Sequence, residues 1–143
     1  MDLKILSYRK AIKYEPIEKT YAIRIFSNNH KNRLKLDLVQ SSNYIRKVQY
    51  YLDDLVSEKE AESVVNQGLV LTMLNDFYEW KDKCDCLLIH CIYGLSRSTA
   101  IGIAFNNIFK LGNDTKSLME LHQKYNRHIY DMFVNTAKKY KYL

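Results

Sequence analysis

Short runs of apolar residues, several of them alternating with polar ones, are spread along the first half of the chain. A period of two residues is typical of a strand that buries one face. The pattern predicts strands at residues 4–6, 21–26, 34–36 and 46–52. After the first of these, Ser7 is a candidate cap for a helix that passes Ala11 and continues to Tyr14, and Pro16 ends that segment.

Apolar residues at helical spacing dominate the middle of the chain. Ser57 and Glu60 form a capping box, so we expect a helix to begin near Glu58. The sequence Asn-Gln-Gly at 66–68 is expected to interrupt it, and a second helical pattern runs over residues 69–83. The apolar members of this pattern, which we interpret as core residues, are Val70, Met73, Leu74, Phe77 and Trp80.

A continuous apolar run at residues 86–90 is typical of a strand that is buried on both faces. An apolar helix is predicted at 98–110, and two more helices at 115–125 and 129–140. Strands and helices therefore interleave, which predicts one α/β domain over residues 1–143. We expect a central, mainly parallel sheet of about four or five strands flanked by helices, with any ligand beyond the C-terminal strand ends.

Composition narrows the classes of partner. The chain has 22 Lys and Arg against 16 Asp and Glu, a net charge of +6, which favours anionic partners and also serves solubility. The basic residues form no stripe, so we expect no nucleic-acid groove, and no apolar run approaches the roughly 18 residues of a membrane span. The N-terminus lacks an apolar signal core and the three cysteines form no disulfide framework, so the expected location is cytoplasmic. The oligomeric state stays open.

The strongest chemical signal lies between the buried strand and the helix that follows it. Loop amides that point inward, together with the positive end of the helix, make an anion site. Gly94 supplies the unusual backbone angles that such a loop needs, and Arg97 offers a planar fork that matches two phosphate oxygens. The candidate substrate-binding residues are Ile92, Tyr93, Gly94, Leu95, Ser96 and Arg97.

Cys91 lies at the mouth of this loop and is the candidate nucleophile. Nearby positive charge and backbone donors favour its thiolate, which is the form that attacks. The natural reaction is in-line attack of sulfur on phosphorus to give a cysteinyl-phosphate, while the amides and Arg97 stabilise the spreading charge. Ser98 can donate a hydrogen bond to the sulfur and help it leave in the second step. This chemistry needs no metal and no cofactor.

The segment His-Cys-x-x-Gly-x-Ser-Arg-Ser at 90–98 resembles the signature of the protein tyrosine phosphatases, and most nearly that of their small dual-specificity branch. The order of elements upstream also matches, and the resemblance is firm over residues 46–110. It implies the phosphatase fold and the hydrolysis of phosphotyrosine in a phosphorylated protein or peptide. Phosphoserine and phosphothreonine are further candidate substrates.

The resemblance also implies a general acid upstream of the nucleophile, which protonates the leaving oxygen and then activates water. Asp53 and Asp54 directly follow a predicted strand. We favour Asp54, because the acid of this family often falls where the strand passes into its loop, and Asp53 is the alternative. The pair also fits a solvated strand end or a helix cap.

Tyr93 departs from the family pattern, which usually has a small or charged residue at this position. Its ring is compatible with narrowing the pocket, stacking on an aryl substrate or pointing away. The loop contains no Lys, which argues against a phosphoinositide substrate. We interpret His90 as a structural residue that bonds the loop backbone, and Cys84 and Cys86 as buried, inert thiols rather than a metal or disulfide site.

Two other functions use the same loop. An RNA 5′-triphosphatase fits the positive charge, but such enzymes usually carry Asn before the Arg and Thr-Gly after it, where this chain has Ser96 and Ser98-Thr99. A phosphate-binding module without turnover is the second alternative. The presence of Cys91, Arg97 and Ser98 together argues against it.

Overall fold

The structure, a computed structural model, describes residues 1–30 and 36–143. Its strands are β1 (Asp2–Ser7), β2 (Thr20–Phe26), β3 (Tyr44–Tyr51) and β4 (Cys86–Cys91). Its helices are α1 (Tyr8–Ala11), α2 (Glu58–Ala61), α3 (Val64–Trp80), α4 (Arg97–Phe109), α5 (Thr115–Leu121) and α6 (Arg127–Lys139). Two single turns of 3-10 helix lie at Asn28–His30 and Lys81–Lys83.

The strands of the described chain form one sheet in the order β1-β4-β2-β3, and every pairing in it is parallel. In this register Ser7 lies opposite Cys91, and Arg24 lies opposite His90. All six residues of β4 are buried, as a continuous apolar run predicts for an interior parallel strand. The predicted α/β fold is confirmed, and the C-terminal strand ends meet at the edge where the loop after Cys91 begins.

Apolar side chains cover both faces of the sheet. Because successive residues of a strand point to opposite faces, Leu87 and Ile89 join the larger core while Leu88 joins the smaller one. The larger core lies under α3, α4 and α6, where the ring centroids of Phe77 and Phe105 are 5.1 Å apart. The smaller core consists of Ala11, Ala22, Leu38 and Leu88. Packing on both faces fixes β4, and with it the position of Cys91 at its end.

The predicted helices are present, but several of their limits differ from the prediction. The predicted helix start near Glu58 is confirmed, and the Ser57 hydroxyl caps it by accepting a hydrogen bond of 3.3 Å from the Glu60 amide. The predicted interruption at 66–68 is wrong. The helical conformation is interrupted instead between α2 and α3. Ser63 caps α3, because its hydroxyl accepts a hydrogen bond of 3.2 Å from the Asn66 amide, and Gly68 lies inside that helix.

Two helices are shorter than the apolar pattern predicts. The helix after Ser7 ends at Ala11 rather than Tyr14, and the one predicted at 115–125 ends at Leu121. The predicted strand at 34–36 falls largely outside the described residues. Over the described ranges, no helix has both the length and the apolar character needed to cross a bilayer.

Candidate active site

The loop over residues 92–96 joins the buried end of β4 to the first turn of α4. Ser96 occupies the capping position of α4, but its side chain makes no capping bond. Its hydroxyl donates to Asp54 Oδ1 at 2.8 Å instead. The hydroxyl therefore does not compete with an anion for the amides at the helix start, where the helix dipole favours negative charge.

Cys91 is 2% exposed, and its sulfur faces donors of the loop. The Sγ atom lies 3.1 Å from Ser98 Oγ and accepts a hydrogen bond of 3.3 Å from the Gly94 amide. Burial alone raises the pKa of the Cys91 thiol. The hydrogen bonds from Ser98 and Gly94 and the charge of Arg97 outweigh burial, so the pKa lies below that of an ordinary thiol.

Gly94 is required at its position by both conformation and space. Its φ is +72°, in the region that side chains with a Cβ adopt rarely. A Cβ atom there would lie 2.7 Å from the carbonyl carbon of Leu6 and 2.7 Å from the amide nitrogen of Ser7. The loop therefore rests directly on the backbone at the end of β1, and the Tyr8 amide donates to the Ile92 carbonyl at 3.0 Å.

Arg97 is 7% exposed and is held by groups from two other strand ends. One terminal nitrogen, Nη1, donates to Ser27 Oγ at 2.6 Å and to the Leu52 carbonyl at 3.1 Å. The Nε atom is buried and has no hydrogen-bond partner among the described residues. Since a buried donor without an acceptor is costly, this arrangement suits a guanidinium that receives an anion.

The two candidate acids have different surroundings, although both are exposed. Asp54 Oδ1 accepts hydrogen bonds of 2.8 Å from Ser96 and 2.8 Å from Asn126 Nδ2, so it lies against the loop. Asp53 accepts instead from the backbone and side-chain nitrogens of Asn28, at 2.9 and 3.1 Å. The structure therefore brings Asp54 to the loop and ties Asp53 to the turn after β2.

The rim of the loop is apolar and open. Tyr93 is 76% exposed and Leu95 is 51% exposed, whereas Ile92 is half-buried. Most of the Tyr93 side chain is in solvent, which is compatible with stacking on an aryl substrate and with pointing away.

Three residues around the site were missed by the sequence analysis, namely Arg24, Ser27 and Asn126. Arg24 donates to His90 Nε2 at 2.9 Å, behind the loop. A charged residue between Ile23 and Ile25 in a buried strand is a signal that could have found it. Ser27 and Asn126 are ordinary polar residues at element ends, and their sequence context gives no such signal.

The remaining cysteines lie away from this chemistry. Cys84 and Cys86 are free and buried, and burial raises the pKa of each thiol to about 11. Both are therefore poor nucleophiles near neutral pH. Among the residues that the structure describes, no group of three or more His, Cys, Asp or Glu side chains is placed to hold a metal ion.

In the described residues, a parallel sheet of four strands has an interior strand that ends in Cys91 and is followed by a loop and a helix, and this arrangement defines the class of fold. It is the fold that the sequence resemblance to the protein tyrosine phosphatases implies, so the predicted fold is confirmed. The chain matches the crystal structure of Tk-PTP in the active form with a TM-score of 0.51 and 16% identity, covering 97% of this chain and 90% of that one.

Two further solved structures are similar to the chain. The human tyrosine phosphatase-like serine/threonine/tyrosine-interacting protein has a TM-score of 0.43 and 18% identity, with 86% of this chain and 77% of that chain covered. PTPMT1 in complex with PI(5)P has a TM-score of 0.49 and 11% identity, with 85% and 79% covered. No protein-family model matches the sequence, and no curated protein matches it.

Proposed function

We propose that this chain is a protein phosphatase that hydrolyses phosphotyrosine, and also phosphoserine or phosphothreonine, through a cysteinyl-phosphate. The observation that carries the proposal is the environment of Cys91. Its sulfur lies within hydrogen-bond distance of Ser98 Oγ and the Gly94 amide, at the start of a helix. These donors favour a thiolate in a loop that is also built to receive an anion.

A phosphate monoester is the substrate that fits this loop. A thiolate and a phosphate dianion repel each other, so their approach needs several donors and a fixed positive charge. The amides of the loop and Arg97 supply both, and Nε of Arg97 is a buried donor without a partner among the described residues. The Nη1 bonds to Ser27 and Leu52 hold the guanidinium in place before substrate arrives.

In the first step, the electron pair of Cys91 Sγ forms the S–P bond as the bond from phosphorus to the leaving oxygen breaks. The leaving oxygen takes a proton from a carboxylic acid, so that a neutral phenol or alcohol departs. Charge spreads over the three equatorial oxygens of the phosphoryl group, where the amides and Arg97 stabilise it.

Asp54 is our candidate for that acid. Its Oδ1 atom accepts hydrogen bonds from Ser96 of the loop and from Asn126 at the start of α6, and these contacts support a role for the carboxyl group next to a bound phosphate. Asn126 is itself fixed, because its Nδ2 also donates to the Leu55 carbonyl at 2.9 Å and its Oδ1 accepts from the Ile129 amide at 3.0 Å. Asp53, held by Asn28, faces a different partner.

In the second step, water attacks phosphorus and the S–P bond breaks. The Asp54 carboxylate, deprotonated in the first step, takes a proton from the attacking water and so returns to its starting form. The sulfur leaves as a thiolate, and Ser98 stabilises it by donating a hydrogen bond across the 3.1 Å separation. The products are inorganic phosphate and the free enzyme.

Phosphotyrosine is the substrate we favour, because the rim offers apolar surface to a phenyl ring. Tyr93 and Leu95 are both exposed there, and an aromatic ring next to an apolar side chain gains from removal of water. The proposal includes a cytoplasmic location, since a catalytic thiol has to stay reduced.

The test is hydrolysis of an aryl phosphate and of a phosphotyrosine peptide by the purified protein. Wild type should release phosphate, and acid-quenched protein should carry a phosphoryl group on Cys91 by mass spectrometry. Cys91→Ser should abolish both signals. Cys84→Ser is the matched control and should retain them, because that thiol is buried and makes its contact with the Lys81 carbonyl. Tight phosphopeptide binding without product would instead support a binding module.

A further inference from the structure

Arg24 is a buried cation in the middle of the sheet, and the steps proposed above do not use it. It lies on β2, where all seven residues are buried, and is itself 6% exposed. The parallel register puts it directly opposite His90, the residue that precedes the candidate nucleophile. A charged side chain in such a place costs folding free energy unless specific contacts compensate for it.

The contacts of Arg24 use its donors in three directions. Its Nε donates to His90 Nε2 at 2.9 Å, Nη2 donates to the Leu36 carbonyl at 2.8 Å, and Nη1 meets Asp37 Oδ1 at 3.1 Å. The guanidinium also lies 5.2 Å from the centroid of the Phe26 ring. Arg24 therefore connects the segment that leads into β3 with the residue behind Cys91.

The bond to Arg24 decides where the proton of His90 lies. A guanidinium has only donors, so His90 Nε2 has to be the acceptor and carries no proton. In the neutral ring the proton is then on Nδ1, which lies 3.3 Å from the Cys91 carbonyl and donates to it. A doubly protonated imidazole has no acceptor and would lose the bond to Arg24.

The surroundings of His90 keep it neutral. Tyr8 of α1 packs against the ring at 6.0 Å between centroids, Phe26 of β2 packs at 5.5 Å, and the ring is fully buried. Within the described ranges, the charged group facing the ring is Arg24 from β2, and Asp37 lies behind Arg24. Burial and the Arg24 charge together lower the pKa of His90 to about 4.

We propose that Arg24 is a positioning residue for Cys91, acting through the tautomer of His90 on the first peptide of the phosphate loop. The N–H at Nδ1 holds the Cys91 carbonyl behind the loop. A carbonyl turned the other way would present its negative end to the anion site and disturb the amides that follow it. Only the kinetic consequence rests on the proposed function, because the tautomer and the reactivity of the thiol exist without any substrate.

The first experiment reads the tautomer directly. Long-range proton–nitrogen NMR of the wild-type histidine rings should show His90 protonated on Nδ1 and unprotonated on Nε2 between about pH 6 and 8, where neutral histidine prevails. His90→Asn identifies the signals by their loss. A wild-type spectrum with the proton on Nε2, or a doubly protonated ring at neutral pH, overturns the proposal whether or not any variant folds.

The second experiment measures the reactivity of the Cys91 thiol. Alkylation by iodoacetamide at pH 6, located on Cys91 by fragmentation mass spectrometry, should be about fivefold slower in Arg24→Met, the effect of one net hydrogen bond. Lys47→Met is the matched control: Lys47 meets the other oxygen of Asp37 at 3.6 Å, and its loss should leave the rate unchanged. Arg24→Lys, which keeps a donor, should recover part of the rate.

The two proposals fail in different ways. A protein that hydrolyses no phosphate ester, yet shows the Nδ1 proton and slower alkylation in Arg24→Met, contradicts the phosphatase function and supports the role of Arg24. Equal alkylation rates in Arg24→Met and wild type contradict the role of Arg24, even if the protein is an active phosphatase.

Discussion

The Ser96 hydroxyl donates a hydrogen bond of 2.8 Å to Asp54 Oδ1 and so joins the loop between β4 and α4 to the loop after β3. The two residues belong to separate elements, and Asn126 at the start of α6 binds the same carboxylate oxygen. One carboxylate is thus held by polar side chains from two sides, while its neighbour Asp53 is turned towards Asn28. This difference between adjacent aspartates leads to a direct test.

Asp54→Ala is expected to lower turnover on a phosphotyrosine peptide roughly 10²–10⁴-fold, the usual effect of losing a general acid. The loss should be smaller on an aryl phosphate with a strongly acidic phenol, because such a leaving group needs little protonation. Asp53→Ala is the matched variant, and we expect it to change kcat far less. Steady-state kinetics on both substrates decide the matter, and the reverse ranking assigns the acid to Asp53.

Ser98→Ala should shift the rise of the Cys91 alkylation rate with pH to higher pH values. Ser98 makes the largest contribution among those that lower the pKa of the Cys91 thiol, so its loss raises that pKa. Less thiolate is then present at acidic pH, and well below the wild-type pKa the thiolate fraction is lower by about tenfold for each pH unit by which the pKa rises. The measurement is the rate of Cys91 alkylation from about pH 4 to 9, which follows the titration of the thiolate.

Ser96→Ala is the control for that series. Its hydroxyl bonds to Asp54 rather than to the sulfur, so the alkylation profile should stay where it is in wild type. A profile that shifts equally in both variants would mean that general loosening of the loop, rather than the bond from Ser98, governs the thiol.

Gly94→Ala should destabilise the protein and abolish phosphate release. Two effects contribute, namely backbone strain at a positive φ and overlap of the added Cβ with neighbouring atoms. Gly112→Ala isolates the first effect, because Gly112 also has a positive φ, +97°, but no atom lies within 4 Å of the added Cβ. We expect Gly112→Ala to cost about 1–2 kcal/mol of unfolding free energy through backbone strain alone. Gly94→Ala should cost about 1–3 kcal/mol more through overlap with Leu6 and Ser7. Denaturant melts and activity assays test this, and equal losses would contradict the close approach of the loop to β1.

The lowered pKa of the buried His90 predicts that the folded protein loses stability in mild acid. Its pKa is about 4 in the folded protein, against about 6.5 for an unperturbed histidine, so the unfolded chain binds more protons between these values. The stabilising contribution is complete above pH 6.5 and falls as the pH drops towards 4, by roughly 3 kcal/mol in total. Denaturant melts from pH 7 to 4 should show this fall in wild type, and a markedly flatter dependence in His90→Gln. Parallel curves would mean that other groups set the acid sensitivity.

The sequence predicts best what depends on neighbouring residues. The run at 86–90 and the helix after it are strongly apolar, so both elements and the loop between them could be placed from local pattern alone. The loop chemistry followed, because Cys91, Gly94, Arg97 and Ser98 lie within eight residues. Helix limits were harder, because the pattern at 115–125 does not show that the chain leaves helical geometry at His122.

The parts that sequence could not provide are contacts between distant segments. Arg24 and His90 are 66 residues apart, Ser27 and Arg97 are 70 apart, and Asp54 and Asn126 are 72 apart. Each pair depends on the order of strands in the sheet or on the packing of α6. Local pattern fixes neither, so the supporting residues emerged only with the fold.

The placement of β1 has a consequence for how the protein matures on the ribosome. β1 lies at the edge of the sheet and pairs with β4, while Leu6 and Ser7 form the surface on which Gly94 rests. Because β4 follows β1 in the chain, β1 has no partner in the sheet until residues 86–91 have left the exit tunnel. Until then the apolar side chains of β1 are not packed against the sheet, and the Cys91 thiol acquires its surroundings only after the segments from β1 to α4 have all been made.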